Sequence, residues 1–167
     1  MTTNYSDDAL HSLARELGHE LNKRGLMLVT AESCTGGWAA KVMTDIEGSS
    51  DWFERGFITY TNQSKQDMLC VDAQIIEDFG AVSEQTVQAM AEGALQQSQA
   101  DISVAITGIA GPSGGTPYKP VGLVWFAWAQ HDHEKLVREV IFDGDRETVR
   151  RQAVRTALEG VRDIIAR

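Results

Sequence analysis

The stretch Thr30–Trp38, TAESCTGGW, follows the apolar run LMLV and leads into the helix-forming segment AAKVM. This order predicts a strand that turns sharply into a helix. Amide groups at a helix start suit a phosphate or an oxyanion, and Gly36 and Gly37 let a ligand approach the backbone. The same stretch is equally compatible with a tight connection in which a serine or threonine caps the helix. Local sequence therefore leaves open whether the turn binds an anion, carries a nucleophile or only joins two elements.

Alternating strands and helices are predicted on both sides of this turn. Before it, leucines recur at helical spacing between Ser6, a predicted helix cap, and Gly25, a predicted helix end. After it, strands are predicted at GFITY and ISVAIT, with a helix that starts at Ser83 between them. Two further strands, VGLVWFAWA and KLVREVIFD, are predicted to form a hairpin, and a long helix capped by Asp145 follows.

This pattern predicts an α/β fold, a three-layer α/β/α sandwich with a mixed, mostly parallel sheet. The chain has 167 residues, so a single domain spanning residues 1–167 is expected, long enough to bury a core. A loop is predicted from Gly108 to Pro120. Long loops inside compact domains are more often functional than accidental.

Composition restricts the class of partner. The formal net charge of −9 argues against a nucleic-acid-binding surface, because such surfaces need basic patches. No apolar run approaches the roughly 20 residues of a membrane span. The N-terminus MTTNYSDDALHS lacks the basic start and apolar stretch of a signal peptide. A cytoplasmic protein without nucleic-acid or membrane partners is expected, and Cys34 and Cys70 fit reduced thiols better than a disulfide.

Thiol and metal chemistry are not favoured. A nucleophilic Cys34 would need a lowered pKa and a nearby base. None of the four histidines falls at the carboxyl end of a predicted strand: His11, His19, His131 and His133. A buried, inert Cys34 is therefore predicted. The HDH sequence at 131–133 lacks the further ligands of a zinc site, so a solvent-exposed turn is expected there.

Hydroxyl and cationic side chains cluster near predicted strand ends. Tyr60 lies near the end of GFITY, with Lys65 just beyond it. A lysine with a depressed pKa acts as base to a serine, although a solvated lysine is the simpler interpretation of this segment alone. Ser33, Tyr60 and Thr107 all fall at or just past strand ends. In parallel sheets these ends gather on one edge, where ligands bind.

Two other residues have both a functional and a purely structural interpretation. Ser50, like Ser49, could cap a short helical turn begun by SDWFE. Arg146 begins the last helix and could pair with a ligand phosphate or with an acidic neighbour.

Five motifs, in order along essentially the whole chain, resemble the C-terminal domain of the competence/damage-inducible protein CinA. They are TAESCTGGW, GSSDWFERGFITYTNQSK, GAVSEQTV, ITGIAGPSGG with KPVGLVWFA, and GDRETVRRQ. The resemblance implies hydrolysis of nicotinamide mononucleotide to nicotinate mononucleotide and ammonia, the reaction of the family's stand-alone amidases in pyridine-nucleotide salvage. It also implies an α/β/α fold, no metal or other cofactor, and a homodimer.

The implied reaction assigns catalytic roles. Ser33 would attack the amide carbon and Lys65 would accept its proton, as in the Ser–Lys alternative to the catalytic triad. Tyr60 would help to pass that proton to the leaving amine. Ser50 also lies in a family motif and competes with Ser33 as the nucleophile.

The same resemblance assigns substrate contacts. Backbone amides of Thr35, Gly36 and Gly37 would hold the oxyanion or, alternatively, the 5′-phosphate. Thr107 and the loop that begins at Gly108 would contact the nucleotide. Arg146 would neutralise its phosphate.

Two other functions stay open. The first is a non-catalytic nucleotide-binding module of the same fold, since fold does not fix function. The second is an amidase for another substrate. Ammonia release distinguishes an enzyme from a binding module. A requirement for the 5′-phosphate distinguishes a nucleotide amidase from an amidase for another substrate. A DNA-related role, suggested by the family's name, finds no support in a chain of net charge −9.

Overall fold

The computed structural model describes residues 5–167, so the first four residues of the predicted 1–167 domain lie outside the described part. Helices and strands follow one another along the described chain with these bounds: α1 Asp7–Arg24, β1 Leu28–Glu32, α2 Trp38–Thr44, β2 Phe53–Ile58, α3 Asn62–Leu69, α4 Ala73–Phe79, α5 Glu84–Gln96, β3 Ile102–Gly108, β4 Leu123–Gln130, β5 Leu136–Ile141 and α6 Arg146–Ile165. None of the helices within residues 5–167 combines the length and hydropathy that crossing a bilayer requires.

The strands form one sheet in the order β2–β1–β3–β4–β5. β1 pairs in parallel with β2 and with β3, whereas β3–β4 and β4–β5 are antiparallel. Among these strands β4 alone runs against the others, which confirms the mixed, mostly parallel sheet. The carboxyl ends of β1, β2 and β3 consequently meet at one edge.

Helices cover both faces of the sheet and confirm the three layers. Helices α1, α2 and α6 pack on one face, and α3, α4 and α5 pack on the other. Successive residues of β3 point to opposite faces, so that Val104 and Ile106 enter the first core and Ala105 enters the second. Both faces of the central strands are therefore buried, as their apolar composition requires.

Most predicted helix ends are confirmed by their caps. The side chain of Ser6 accepts a hydrogen bond from the amide of Ala9, and Gly25 ends α1 in the left-handed conformation with φ 65°. Ser83 caps α5 in the same way as Ser6 caps α1. Asp145 accepts from the amide of Thr148 at the start of α6.

The sequence pattern does not predict helix α3, because the apolar periodicity of residues 62–69 is weak. A reciprocal capping box starts it: Thr61 accepts from the Ser64 amide, and the Ser64 hydroxyl accepts from the Thr61 amide. Strand β2 also begins earlier than predicted, at Phe53, and ends at Ile58. This places Tyr60 just past the strand and Lys65 in the first turns of α3.

Candidate active site

A serine and a buried lysine meet at the carboxyl edge of the sheet. Ser33 directly follows β1, and Lys65 reaches it from α3, with Nζ donating to Ser33 Oγ at 3.0 Å and to the Thr59 carbonyl at 2.8 Å. Lys65 is 1% exposed. Among the described residues no carboxylate lies within ion-pair distance of its ammonium group.

Burial changes the acidity of this lysine. Because removal from water disfavours the ammonium form, the pKa of Lys65 falls to about 8. A large fraction of Lys65 is therefore a neutral amine at mildly alkaline pH. A neutral amine at this distance can accept the proton of the Ser33 hydroxyl.

The pair opens into a cavity of about 270 Å³. Six of the residues proposed from the sequence line it together: Ser33, Tyr60, Lys65, Thr107, Gly108 and Arg146. Its lining residues include two cationic side chains, those of Lys65 and Arg146. They include no aspartate or glutamate of the described chain. An acidic protein thus has a locally cationic pocket, which suits an anionic ligand.

Tyr60 and Arg146 lie against each other at this cavity. Arg146 Nη2 donates to the Tyr60 hydroxyl at 2.9 Å, and Nη1 donates to the Gly111 carbonyl at 2.8 Å. The Tyr60 side chain is exposed, and its hydroxyl contacts neither Ser33 nor Lys65 within the described chain. The hydrogen bond between Lys65 and Tyr60 is made instead by the Tyr60 backbone carbonyl, which lies 3.5 Å from Lys65 Nζ.

Thr107 and Gly108 shape the wall of the cavity. The Thr107 hydroxyl donates to the Ala81 carbonyl at 2.8 Å and so holds the segment before α5. Gly108 is the last residue of β3 rather than the first of the loop. A Cβ atom there would lie 2.8 Å from the Leu123 carbonyl oxygen, so the close approach of β3 and β4 requires glycine.

The amides at the start of α2 already have an internal acceptor. The buried carboxylate of Glu32 accepts from the amides of Ala39 at 2.9 Å and Ala40 at 3.1 Å, and from the Thr35 hydroxyl at 2.7 Å. Sequence reasoning missed Glu32, although a glutamate at the end of a buried, largely apolar strand is a visible signal. Through these bonds it connects the turn Ser33–Gly36 to the start of α2.

Three proposed substrate contacts lie elsewhere. Thr35, Gly36 and Gly37 line a different cavity, of about 450 Å³, between α1, α2 and α6. The structure therefore does not bring them together with Ser33 in one pocket. The Gly36 amide is already bonded to the Ser33 carbonyl, and the helix that follows the turn donates its Ala39 and Ala40 amides to Glu32.

Ser50 is also placed away from the pocket. It lies exposed in a 3₁₀ turn, Ser49–Asp51, whose cap position is taken by Gly48. This turn precedes the amino end of β2, whereas Ser33 follows the carboxyl end of β1. Because the two strands are parallel, Ser50 and Ser33 lie at opposite edges of the sheet.

The predictions that Cys34 is buried and that the HDH turn is exposed are confirmed. Cys34 is buried, and burial, together with the negative charge of Glu32, raises the pKa of its thiol to about 12. A raised pKa disfavours the thiolate, which is the nucleophilic form of cysteine. Residues 131–133 are exposed on the β4–β5 turn. Residues 5–167 contain no group of three or more histidine, cysteine or acidic side chains placed to hold a metal ion.

The mixed α/β/α domain places a serine hydroxyl against a buried lysine, beside a pocket lined by a second cationic side chain. The chain belongs to the CinA C-terminal domain family, whose sequence profile matches residues 10–165. This confirms the resemblance read from its motifs.

Several relatives are similar over nearly their whole length. "Nicotinamide-nucleotide amidohydrolase PncC" of Escherichia coli (strain K12) is 53% identical over 154 residues, covering 92% of this chain and 93% of that protein. The protein of the same name from Pseudomonas putida is 47% identical, covering 92% and 96%. The crystal structure of competence/damage inducible protein CihA from Agrobacterium tumefaciens superimposes with a TM-score of 0.92 at 45% identity, covering 100% of both chains.

Proposed function

We propose that the protein hydrolyses nicotinamide mononucleotide to nicotinate mononucleotide and ammonia. The observation that carries this proposal is the contact between Lys65 Nζ and Ser33 Oγ, at 3.0 Å, inside a pocket that also contains Arg146. Support for the substrate comes from the relatives named nicotinamide-nucleotide amidohydrolase, at 53% and 47% identity.

The first half of the reaction forms an acyl-enzyme. Neutral Lys65 accepts the proton of Ser33 as its oxygen attacks the carboxamide carbon, giving a tetrahedral oxyanion. The protonated Lys65 then gives that proton to the departing nitrogen, which leaves as ammonia. In the second half, water attacks the ester of Ser33, and Lys65 serves as the base again.

We assign the oxyanion donor to the amide of Cys34, the residue that follows the proposed nucleophile. Cys34 lines the pocket with Ser33, and within residues 5–167 its amide pairs with no backbone carbonyl. The Gly36 amide, in contrast, already donates to the Ser33 carbonyl. In this proposal Cys34 replaces the amides of residues 35–37 as the oxyanion donor.

Arg146 and Tyr60 bind the phosphate end of the substrate. Arg146 makes hydrogen bonds to a hydroxyl and a carbonyl but has no carboxylate partner in the described chain, so its charge is available to the 5′-phosphate. Tyr60 orients this guanidinium. Its contact with Arg146 supports this role better than proton transfer, which Lys65 performs directly.

A substrate panel tests the proposed function. Wild-type protein is expected to release ammonia from nicotinamide mononucleotide, and far more slowly from the riboside or from free nicotinamide. Arg146→Gln should raise KM for the mononucleotide by about tenfold or more, since a charge-assisted phosphate contact is lost, while leaving the poor rate with the riboside unchanged. Saturable binding of the mononucleotide without ammonia would instead indicate a binding module. Equal rates with the riboside and the mononucleotide would exclude the proposed role of Arg146 in binding the 5′-phosphate.

The rate should depend on pH through Lys65. The catalytic form of Lys65 is neutral, and its pKa is about 8, so kcat/KM should rise with pH through a midpoint near that value. Ammonia release measured from pH 6 to pH 10 checks this. A rate independent of pH across this range would contradict a lysine base.

A place in pyridine-nucleotide salvage, a homodimer and a cytoplasmic location also remain part of the proposal. The first follows from the proposed product, nicotinate mononucleotide. Light scattering on the purified protein tests the second, and cell fractionation tests the third.

A further inference from the structure

We infer that Arg150 is a positioning residue that orients and polarises the Cys34 amide, and thereby the proposed oxyanion site. The inference rests on the proposed function, because it deepens the account of the same site. Arg150 lies four residues after Arg146 in α6, one helical turn further from the pocket.

Arg150 directs its charge at the turn that carries the nucleophile. Its Nε donates to the Cys34 carbonyl at 2.9 Å, and its Nη2 donates to the Thr35 carbonyl at 3.1 Å. The guanidinium also lies 5.4 Å from the ring centroid of Trp38. Within the described chain it forms no ion pair, so its hydrogen bonds to these two carbonyls are its closest polar contacts.

A chain of hydrogen bonds leads from Arg150 to the oxyanion site. The Thr35 carbonyl belongs to the same peptide group as the Gly36 amide, which donates to the Ser33 carbonyl at 3.1 Å. The Ser33 carbonyl in turn belongs to the same peptide group as the Cys34 amide. In a trans peptide the carbonyl and the amide point in opposite directions. Each bond accepted by a carbonyl therefore polarises the amide beyond it, and successive bonds strengthen one another.

The end of this chain is the Cys34 amide, which no backbone carbonyl of the described residues accepts. A fixed, polarised donor next to the nucleophile is what a developing oxyanion requires. Arg150 touches neither the pocket nor the reacting atoms. It would act only through the backbone of the turn.

Arg151 provides a matched control. It lies over the same Trp38 ring, at 4.8 Å from the centroid, but pairs with the carboxylates of Asp7 and Glu147. It makes no hydrogen bond to the turn that carries Ser33. Removing its charge therefore perturbs the same surface without touching the chain of hydrogen bonds.

The test is the rate at which an alkyl fluorophosphonate labels Ser33, followed by intact-protein mass spectrometry. In this step a bond forms between Ser33 Oγ and phosphorus, the phosphorus–fluorine bond breaks, fluoride leaves, and Lys65 takes the serine proton. Oxyanion character develops on the phosphoryl oxygen. The readout therefore needs neither the nucleotide nor its proposed hydrolysis.

Arg150→Gln should slow labelling by about tenfold to a hundredfold, which is less than the loss expected for removing a direct oxyanion donor. The midpoint of the pH dependence of the labelling rate, which Lys65 sets, should stay unchanged. Arg150→Lys should recover part of the rate, since an ammonium group reaches one carbonyl. Arg151→Gln should label within about twofold of wild type. With the mononucleotide, Arg150→Gln should lower kcat while KM changes little.

Three results would overturn the inference. Arg150→Gln could label at the wild-type rate, it could slow labelling with a shifted pH midpoint, or the wild type could fail to label at all. A shifted midpoint would mean that the Ser33–Lys65 pair itself had moved, which is a general structural role. Failure of the proposed function has a different signature, in which wild-type Ser33 is labelled but no ammonia is released from the mononucleotide.

Discussion

Replacing Ser33 by alanine is expected to reduce kcat for ammonia release from nicotinamide mononucleotide by at least about a thousandfold, with a much smaller change in KM. In the proposed mechanism Ser33 supplies the attacking oxygen, whereas Arg146 and the pocket wall, which are proposed to bind the substrate, are untouched. The Ser33 side chain bonds to Lys65, and alanine fits the same space. Initial rates across substrate concentrations measure both constants.

Ser50→Ala is the matched control for this experiment. Both serines lie in family motifs, but Ser50 is exposed at the opposite edge of the sheet. Its replacement should leave kcat within about twofold of wild type. The reverse pattern, with activity lost in Ser50→Ala and kept in Ser33→Ala, would make Ser50 the nucleophile.

Replacing Lys65 by methionine is expected to reduce kcat as strongly as Ser33→Ala does, because methionine fills the space of lysine but accepts no proton. Lys65→Arg should be as inactive, since a guanidinium stays protonated at accessible pH and cannot act as the base. If either variant retained wild-type kcat, the base would have to be another group.

The same lysine should leave a signature in stability. The folded pKa of Lys65 is about 8, below the value of roughly 10.4 expected for an unfolded chain. A depressed folded pKa means that its contribution to stability is fully present above the unfolded pKa and is lost as pH falls through the folded one.

Relative to Lys65→Met, the wild type should therefore gain stability as pH rises from about 8 towards 10.4, by on the order of 2–3 kcal/mol. Urea unfolding of both proteins at several pH values measures the difference in the free energy of unfolding. A difference that stays constant over this range would show that Lys65 titrates normally in the folded state.

Much of the site could be predicted because its residues follow strand ends. Ser33 and Thr107 lie at the ends of strands β1 and β3, which pair side by side, so their proximity follows from the topology. The position of Lys65 just beyond the β2 segment predicts its proximity to them, but the pattern does not predict α3, whose start depends on the reciprocal bonds of Thr61 and Ser64. Local polar capping of this kind leaves little apolar periodicity to detect.

Other parts could not be read from the sequence, because they depend on side-chain directions. The glycines at positions 36 and 37 indicate a turn, but they do not reveal that Glu32 occupies the helix start. The contact of Arg150 with the carbonyls of Cys34 and Thr35 could not be predicted either, because these residues are far apart in the sequence. Ser50 remained a competitor for Ser33 because only the parallel pairing of β1 and β2 separates the two serines in space.

The most direct test of the Ser33 acyl-enzyme is peptide mapping after acid quench during turnover of nicotinamide mononucleotide. The account predicts the mass of the acylated nucleotide on the peptide that contains Ser33, in wild type and not in Ser33→Ala. Steady ammonia release with no adduct on Ser33, or with the adduct on another residue, would contradict it.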